Sequence, residues 1–315
     1  RQLKSPVLLT TTTHLGIEQR LLADHHLIIR SLDDLKHFGG QIPEGIILIT
    51  GPQIADSRLS SLNNENLEAL REFAIEKGLS LIIEADGSRS LPLKAPAEHE
   101  PAIPGWVEMV VNVAGLSGLG QPFSPAVVHR FEQFRHLSQL RPSEPITPEA
   151  LLKVFSHPEG GLKNIPTNAR KIAFLNQVDT QDPAIIDQMA FQLTKYYDAV
   201  LVGHLQNWEY DQEICTVYEP TAGIVLAAGG ATRMGSPKVL LDWNGKPLVR
   251  SVVEKAILAK LNPVIVVVGS VKEQVKRALS DLPVILVENE IWEKGQSTSI
   301  IRGVKALLKN TGSAI

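Results

Sequence analysis

Short runs of Val, Ile and Leu, each bounded by Gly, Pro or Asp, alternate with longer amphipathic stretches along the 315-residue chain. This alternation predicts βα units and an open α/β sheet built from buried parallel strands. In NNENLEALREFAIEKG, Leu67, Leu70, Phe73 and Ala74 fall on one helical face, and Gly78 supplies a stop signal. The first series of predicted strands is VLLTTTT, GIILITG, LSLIIEADG, EMVVNVAG, KIAFLNQVD and AVLVG.

The strand pattern breaks after Gly203 and starts again at Gly223. We therefore predict a first domain over 1–205, a linker over 206–220 and a second α/β domain over 221–315. The second series has strands GIVLAAG, PVIVVVG and PVILVE, and helices PLVRSVVEKAILAKL, VKEQVKRAL and STSIIRGVKALLK. The closing TGSAI is typical of the start of another strand.

Composition excludes several classes of protein. The 31 basic and 34 acidic residues nearly cancel, so no global basic field indicates a nucleic-acid or membrane-surface partner. The apolar runs are shorter than the roughly 20 residues of a membrane span. The single cysteine, Cys215, excludes an internal disulfide and a cysteine-cluster metal site, and we predict that it lies in a strand or is buried. A cytoplasmic protein without a nucleic-acid or membrane partner is expected.

The stretch GIVLAAGGATRMGSPKVLLDWNGKPLV runs from Gly223 to Val249 and carries the strongest chemical pattern. A strand that delivers a glycine-rich turn to a helix exposes backbone N–H groups that can hold phosphate oxygens. Arg233 can clamp two oxygens with its guanidinium, and Lys238 supplies a point charge. The pattern is not a Walker A loop, because Ser-Pro-Lys stands where that loop has Lys-Ser or Lys-Thr.

LAAGGATRMGSPKVLL followed by GKPL resembles the opening signature of the MobA-like nucleotidyltransferases, particularly the molybdenum cofactor cytidylyltransferases. The resemblance implies catalytic roles for Arg233 and Lys238. NEIWEKGQSTSIIRG is similar to a further segment of that family, which would lie at the base and ribose of the nucleotide; helix N-capping is the alternative role for its serines. The implied nucleotide-binding residues are Leu226, Ala227, Ala228, Gly229, Gly230, Gly235, Gly295, Ser297 and Ser299.

The resemblance also implies a nucleotide and a reaction. Ala227-Ala228-Gly229 is similar to the cytidylyl form of the signature, which favours CTP over GTP as the substrate. Ala231 departs from the family's usual Ser. The reaction would be attack by a terminal phosphate of a pterin cofactor on the α-phosphorus, with Mg²⁺ on the phosphates and pyrophosphate leaving. The family's metal-binding carboxylate is expected beyond Ile315, so the chain by itself is predicted to be inactive.

Three stretches stand out in the first domain: TTTTHLG, IIEADGSRSLPLKAPAEHEPAIP and FLNQVDT. Glu84 and Asp86 follow a predicted strand at the end where α/β sheets bind ligands, and Asp86 is a candidate Mg²⁺ ligand. Asn176 and Asp179 resemble the Asn-Lys-x-Asp base-reading loop of GTP-binding proteins, although Gln177 replaces the Lys. The alternative for the carboxylates Glu84 and Asp86 is that they cap a helix or form a turn.

Together these stretches, with VHRFE at Val128 to Glu132, resemble the YqeC family over nearly all of 1–205. Its members normally begin with a strand and a phosphate-binding loop, which this chain lacks, so truncation at both ends is expected. The resemblance implies a P-loop-like first domain with Thr13 and His14 near a nucleotide. Lys94, His99 and Arg130 are candidate anion or partner contacts; the alternatives are a simple β-branched strand for the threonines and surface charges for Lys94 and Arg130.

The two resemblances predict a P-loop-like parallel-sheet domain followed by an incomplete Rossmann-like nucleotidyltransferase domain. The expected function is nucleotide transfer during cofactor maturation of molybdenum- or selenium-dependent hydroxylases, with a molybdopterin-type cofactor and an apo-hydroxylase as partners. The alternative is a non-catalytic nucleotide-binding accessory protein or chaperone that delivers the cofactor.

Overall fold

The computed structural model describes residues 3–40, 42–205, 215–230, 237–307 and 311–315. The chain divides into two compact units. The first unit comprises Arg1–Glu108 and Ser117–Ala169, and the second comprises Met109–Leu116 and Arg170–Ile315. Parallel sheets and helices build both units, which confirms the predicted α/β class. No helix in the described ranges is both long enough and apolar enough to cross a membrane.

The strands are short, as expected for βα units. In chain order they are β1 (Val7–Thr11), β2 (Leu15–Gly16), β3 (His25–Ile28), β4 (Ile46–Thr50), β5 (Gln53–Ala55), β6 (Arg58–Leu59), β7 (Ser80–Glu84), β8 (Leu93–Lys94), β9 (Met109–Gly115), β10 (Val128–His129), β11 (Arg170–Asn176), β12 (Ala199–Gly203), β13 (Cys215–Tyr218), β14 (Thr221–Ala227), β15 (Asp242–Trp243), β16 (Lys246–Pro247), β17 (Val264–Val268), β18 (Val284–Glu288) and β19 (Ser313–Ala314).

The helices connect these strands. In chain order they are α1 (Leu32–Phe38), α2 (Asn64–Lys77), α3 (Phe131–Ser138), α4 (Pro148–Phe155), α5 (Pro183–Leu193), α6 (Leu248–Leu258), α7 (Lys272–Ala278) and α8 (Gln296–Lys305). Short 3₁₀ turns cover Ile17–Leu22, Leu116–Gly118, Val178–Thr180, Lys238–Leu240 and Trp292–Lys294.

The first unit is built on a parallel sheet with strand order β3-β4-β1-β7. Helix α2 covers it with Leu70 and Ala74, which are buried in the same core as Leu8 of β1. The predicted end of α2 at Gly78 is confirmed. The Asn63 side chain accepts a hydrogen bond from the Asn66 N–H at its start, and Gly78 ends it in the left-handed conformation.

The second unit contains two four-stranded sheets, with strand orders β13-β12-β11-β9 and β18-β17-β14-β19. The strands predicted as one open sheet in residues 1–205 are thus divided between the two units. Strand β13 lies within the segment interpreted as a linker and pairs antiparallel with β12. The predicted domain limits at 205 and 221 stay predictions.

Strand β17 of the second unit is an uninterrupted run of apolar residues, Val-Ile-Val-Val-Val. All five residues of Val264–Val268 are buried, because helices cover both faces of the parallel sheet. Val266 packs with Val253 of α6 on one face, and Val267 packs with Ile224 on the other. This sheet carries the glycine-rich loop, which follows β14 directly.

Strand β9 differs from the buried strand that its sequence predicts. Met109, Val111 and Val113 are 50%, 48% and 53% exposed. These alternate residues share one face of the strand, and that face is open to solvent at the edge of the sheet, where β11 pairs with β9 along one side. A run of apolar residues therefore does not show by itself which strand will lie at an edge.

Gly303 lets α8 pack closely on β14. A Cβ atom at position 303 would lie 2.5 Å from Cγ2 of Ile224. Alanine normally favours a helix over glycine by about 1 kcal/mol, but overpacking a core costs about 1–3 kcal/mol. We expect Gly303→Ala to lower the free energy of unfolding in urea. Lys305→Ala, at an exposed site of the same helix, should leave that free energy within about 0.5 kcal/mol; equal effects of both variants would contradict the close packing.

Candidate functional site

The glycine-rich loop leaves the carboxyl end of β14. Ala227 and Ala228 are buried, so only their backbone atoms could meet a ligand. A Cβ at Gly229 would meet no atom within 4 Å, whereas a Cβ at Gly230 would lie 2.6 Å from the Trp292 ring. Leu226 is half-buried within β14. The loop thus offers open backbone at Gly229 and requires glycine at 230.

The loop is held by the residues that follow the neighbouring strand β17. The Ser270 N–H donates to the carbonyl of Ala228 at 3.1 Å, and the Ser270 hydroxyl donates to the carbonyl of Gly229 at 3.1 Å. A Cβ at Gly269 would lie 2.5 Å from the Ala228 carbonyl oxygen. Sequence reasoning missed Gly269 and Ser270; their only signal was a Gly-Ser pair directly after a buried strand.

Lys238 opens the 3₁₀ turn Lys238–Leu240, and its side chain is exposed. Val239 and Leu240 of the same turn pack against the core between α6 and β17. The turn therefore fixes the backbone at Lys238 while leaving the ammonium group in solvent. Arg233 and Gly235, the other predicted residues of this loop, lie outside the described ranges.

The segment around α8 only partly matches its predicted role. Gly295 is the N-cap residue with φ 114°, and no side chain caps the helix, so the N-capping alternative for Ser297 and Ser299 is wrong. Ser297 is exposed, whereas Ser299 is buried and accepts a hydrogen bond from Asn289 at 2.9 Å. Direct contact of Gly295, Ser297 and Ser299 with a nucleotide stays a prediction.

Glu288 ends β18 beside this segment and is held by two lysines. Lys272 and Lys276 donate to its carboxylate at 2.8 and 2.6 Å. These hydrogen bonds lower the pKa of Glu288 to about 2, with Lys272 contributing most. The carboxylate is therefore already paired, although it lies near the loop end of the sheet.

A second charged cluster lies in the first unit, at the carboxyl end of β7. Lys94 donates to Asp86 and to the carbonyl of Gly87, and its ammonium lies 2.9 Å from Glu100 Oε2. The Lys94 side chain is 10% exposed and that of Glu100 is 12% exposed. The alternative of Lys94 as a simple surface charge is therefore wrong.

Glu100 is the centre of this cluster. Arg130 donates to both oxygens of Glu100, from Nη2 at 2.6 Å and from Nε at 3.2 Å, and the Ala97 N–H donates at 2.9 Å. Burial would raise the pKa of Glu100, but the hydrogen bonds from Arg130, Ala97 and Lys94 outweigh it and lower the pKa to about 2. Sequence reasoning missed Glu100, although it directly follows His99, which was singled out as a candidate contact.

The two carboxylates at the end of β7 have the opposite shift. Burial raises the pKa of Glu84, and the charge of Asp86 raises it further. Burial also raises the pKa of Asp86, against the hydrogen bond and charge of Lys94. Asp86, predicted as a Mg²⁺ ligand, thus has an ammonium group as its partner. Within the described ranges, no three His, Cys, Asp or Glu side chains are grouped so that they could hold a metal ion.

Of the remaining candidates, Thr13, Asn176 and Asp179 have partners close in the structure. The hydroxyls of Thr11, the last residue of β1, and Thr13 lie 3.1 Å apart, and His14 is exposed. In the second unit, the Asn176 side chain accepts a hydrogen bond from the Leu205 N–H at 3.1 Å, and Asp179 lies 2.8 Å from His204. Asn176 and Asp179 therefore join the ends of β11 and β12, and base reading by them stays a prediction.

Comparison with known proteins finds a family-model match in each of two segments of the chain. Residues 1–132 match the family model described as YqeC protein, and residues 223–315 match the model described as MobA-like NTP transferase domain. The second unit thus contains a segment that is similar to a nucleotidyltransferase domain. The predicted combination of a YqeC segment with a MobA-like segment is confirmed.

Individual relatives cover one segment each. The "Uncharacterized protein YqeC" of Escherichia coli (strain K12) is 38% identical over 128 residues, covering 40% of this chain and 50% of the relative. A 2-aminoethylphosphonate cytidylyltransferase of Lancefieldella rimae is 38% identical over 96 residues, covering 28% of this chain and 39% of the relative. A solved nucleotidyl transferase from Methanothermobacter thermautotroptrophicus is 31% identical, with TM-score 0.27, covering 28% of this chain and 46% of that chain. The chain spans half or less of the length of each.

Proposed function

We propose that this protein is a nucleotidyltransferase that transfers a cytidylyl group from CTP to a terminal phosphate of a molybdopterin-type cofactor. The observation that carries the proposal is the loop after β14, with its open backbone at Gly229 and Lys238 on the turn beyond it, in a segment that matches the MobA-like NTP transferase domain.

The chemistry assigned to these residues is positioning and charge stabilisation. An oxygen of the acceptor phosphate attacks the α-phosphorus, the bond between the α- and β-phosphates breaks, and pyrophosphate leaves. Backbone N–H groups at Gly229 and Gly230 would bind phosphate oxygens. The Lys238 ammonium, carried on the fixed turn, would offset the negative charge that develops on the leaving pyrophosphate.

The preference for CTP is supported by two observations. Ala227-Ala228-Gly229 resembles the cytidylyl form of the signature, and one relative is named a cytidylyltransferase. Because both alanine side chains are buried, they cannot contact a base. If these two alanines favour CTP over GTP, they must do so by setting the path of the loop backbone.

Magnesium is part of the proposal as an ion carried by the triphosphate. The described residues do not fit a metal site of their own, since Glu288 is paired with Lys272 and Lys276 and no group of three ligating side chains occurs among them. No step of the reaction is therefore assigned to a metal held by these residues.

The biological role that we propose is cofactor maturation for molybdenum- or selenium-dependent hydroxylases in the cytoplasm, with an apo-hydroxylase as a partner. The support is the joining of a YqeC segment and a MobA-like segment in one chain. An accessory protein that binds nucleotide without transferring it is the alternative.

Calorimetric titration of the full-length protein with CTP, GTP and ATP in the presence of Mg²⁺ tests the nucleotide assignment. We expect CTP to bind at least about tenfold more tightly than the other two, a difference of about 1.4 kcal/mol. Tighter binding of GTP or ATP would contradict the choice of CTP. Failure to bind any of the three would contradict the transferase proposal.

A further inference from the structure

A group of basic side chains in the first unit has no role in the proposed transfer: Arg89, Lys94, His129 and Arg130. The parallel pairing of β8 with β10 sets His129 beside Lys94, and Arg130 follows directly. Lys94 also donates to the carbonyl of Gly87 at 2.9 Å, which ties the loop that carries Arg89 to the same end of β8.

These basic residues differ in whether their charge is already satisfied. Lys94 is almost enclosed and shares its ammonium between Asp86 and Glu100. Arg130 is 32% exposed and binds Glu100 through Nε and Nη2, which leaves Nη1 outside those contacts. Arg89 is exposed, and in the part of the chain that the structure describes neither Arg89 nor His129 has a side-chain hydrogen bond or ion pair.

His129 lies among three basic side chains, two of which are already paired with carboxylates. Burial lowers the pKa of His129, and the charges of Lys94, Arg130 and Arg89 lower it further. The charge of Glu100 acts in the opposite direction. Because Lys94 and Arg130 are paired with Asp86 and Glu100, an anion placed against His129 would meet the charge of Arg89 and the remaining Nη1 donor of Arg130.

The backbone holds two of these residues in an unfavourable conformation. Arg89 and Ser90 have φ 54° and 61°, and Arg130 has φ 58°. Non-glycine residues in the left-handed region are strained and tend to cluster where a side chain must be presented for function. Here the strained positions carry the guanidinium groups with free donors.

We propose that Arg89, His129 and Arg130 form a binding site for the phosphoryl group of a small molecule. Guanidinium groups match the geometry of phosphate oxygens, and a neutral imidazole can add a further N–H donor. Glu100 fixes the orientation of Arg130 by accepting from its Nε and Nη2. The site lies in the first unit and does not depend on transfer by the second.

The test is calorimetric titration of the full-length protein with inorganic phosphate, pyrophosphate and CTP in a phosphate-free buffer. We expect binding of at least one of these to weaken about tenfold or more in Arg89→Ala and in His129→Asn, because each removes a donor to a charged group. Arg135→Ala removes an exposed arginine of α3 that pairs with Glu132, and it should change affinity less than about twofold.

The outcomes separate the sources of the phosphoryl group and the two units. Arg89-dependent binding of phosphate or pyrophosphate assigns the site to the free anion, and Arg89-dependent binding of CTP alone assigns it to a nucleotide. Absence of binding by all three probes overturns the proposal. Binding that is lost in Lys238→Ala but unchanged in Arg89→Ala and His129→Asn also overturns it, because the anion would then lie in the second unit. Arg89-dependent binding without any cytidylyl transfer would leave this site standing while the proposed function fails.

Discussion

Glu100→Gln is expected to lower the free energy of unfolding by about 3–5 kcal/mol, the usual cost of removing one partner from a buried ion pair. The substitution keeps the volume of the side chain but removes its charge. Lys94, which is 10% exposed, would keep its ion pair with Asp86 but lose the one with Glu100, and Arg130 would lose its two-oxygen contact. Urea unfolding followed by circular dichroism measures the loss.

The pH dependence of this effect has a definite sign. The folded pKa of Glu100 is about 2, below its ordinary 4.5. Its contribution to stability is therefore complete above pH 4.5 and is lost as the pH falls towards 2. We expect the difference between wild type and Glu100→Gln to be largest above pH 5 and to shrink in acid.

Glu132→Gln is the matched control for Glu100→Gln. Glu132 pairs with Arg135 on the exposed surface of α3, where an ion pair is worth about 0–1 kcal/mol. Equal losses for the two glutamates, or a loss at Glu100 that does not change between pH 7 and pH 3, would contradict the central place of Glu100 in the cluster.

Lys238→Ala is expected to reduce the rate of cytidylyl transfer about 100- to 1,000-fold, the range seen when one group that stabilises a transition-state charge is removed. The 3₁₀ turn Lys238–Leu240 is held by its own packing, so the variant should fold normally. The rate is measured with CTP labelled at the α-phosphate and a molybdopterin acceptor.

Lys255→Ala provides the control for charge removal in the same unit. Lys255 is exposed in the last turn of α6, and we expect its loss to change the transfer rate less than twofold. If Lys238→Ala retains more than about half of the wild-type rate, or if the two lysine variants are equally slow, Lys238 does not act at the reacting phosphates.

Local pattern was sufficient to predict much of the fold. The strand β17 is a continuous apolar run because both of its faces are covered, and α2 carries its apolar face, its Asn63 cap and its Gly78 stop within one stretch. The strand predicted to start within TGSAI is present as β19, which pairs with β14. Such features depend on neighbours in sequence, so sequence reveals them.

Features that depend on distant neighbours were not predictable. No local signal shows that β9 lies at a sheet edge, or that β13 pairs with β12. The same holds for the site. Lys94 and Arg130 were singled out as candidates from their motifs and Glu100 was missed, because their pairing depends on the alignment of β8 with β10 and on the left-handed backbone at Arg130. Ser270 reaches the glycine-rich loop only because β14 and β17 are adjacent.

The central claim is that the protein transfers a nucleotidyl group, and the most direct measurement uses the wild-type full-length protein with α-labelled CTP, Mg²⁺ and molybdopterin. The proposal predicts that label appears on the acceptor in a one-to-one ratio with released pyrophosphate, and that unlabelled GTP competes poorly. Binding of CTP without labelled product or pyrophosphate would contradict the claim and would favour the accessory-protein alternative.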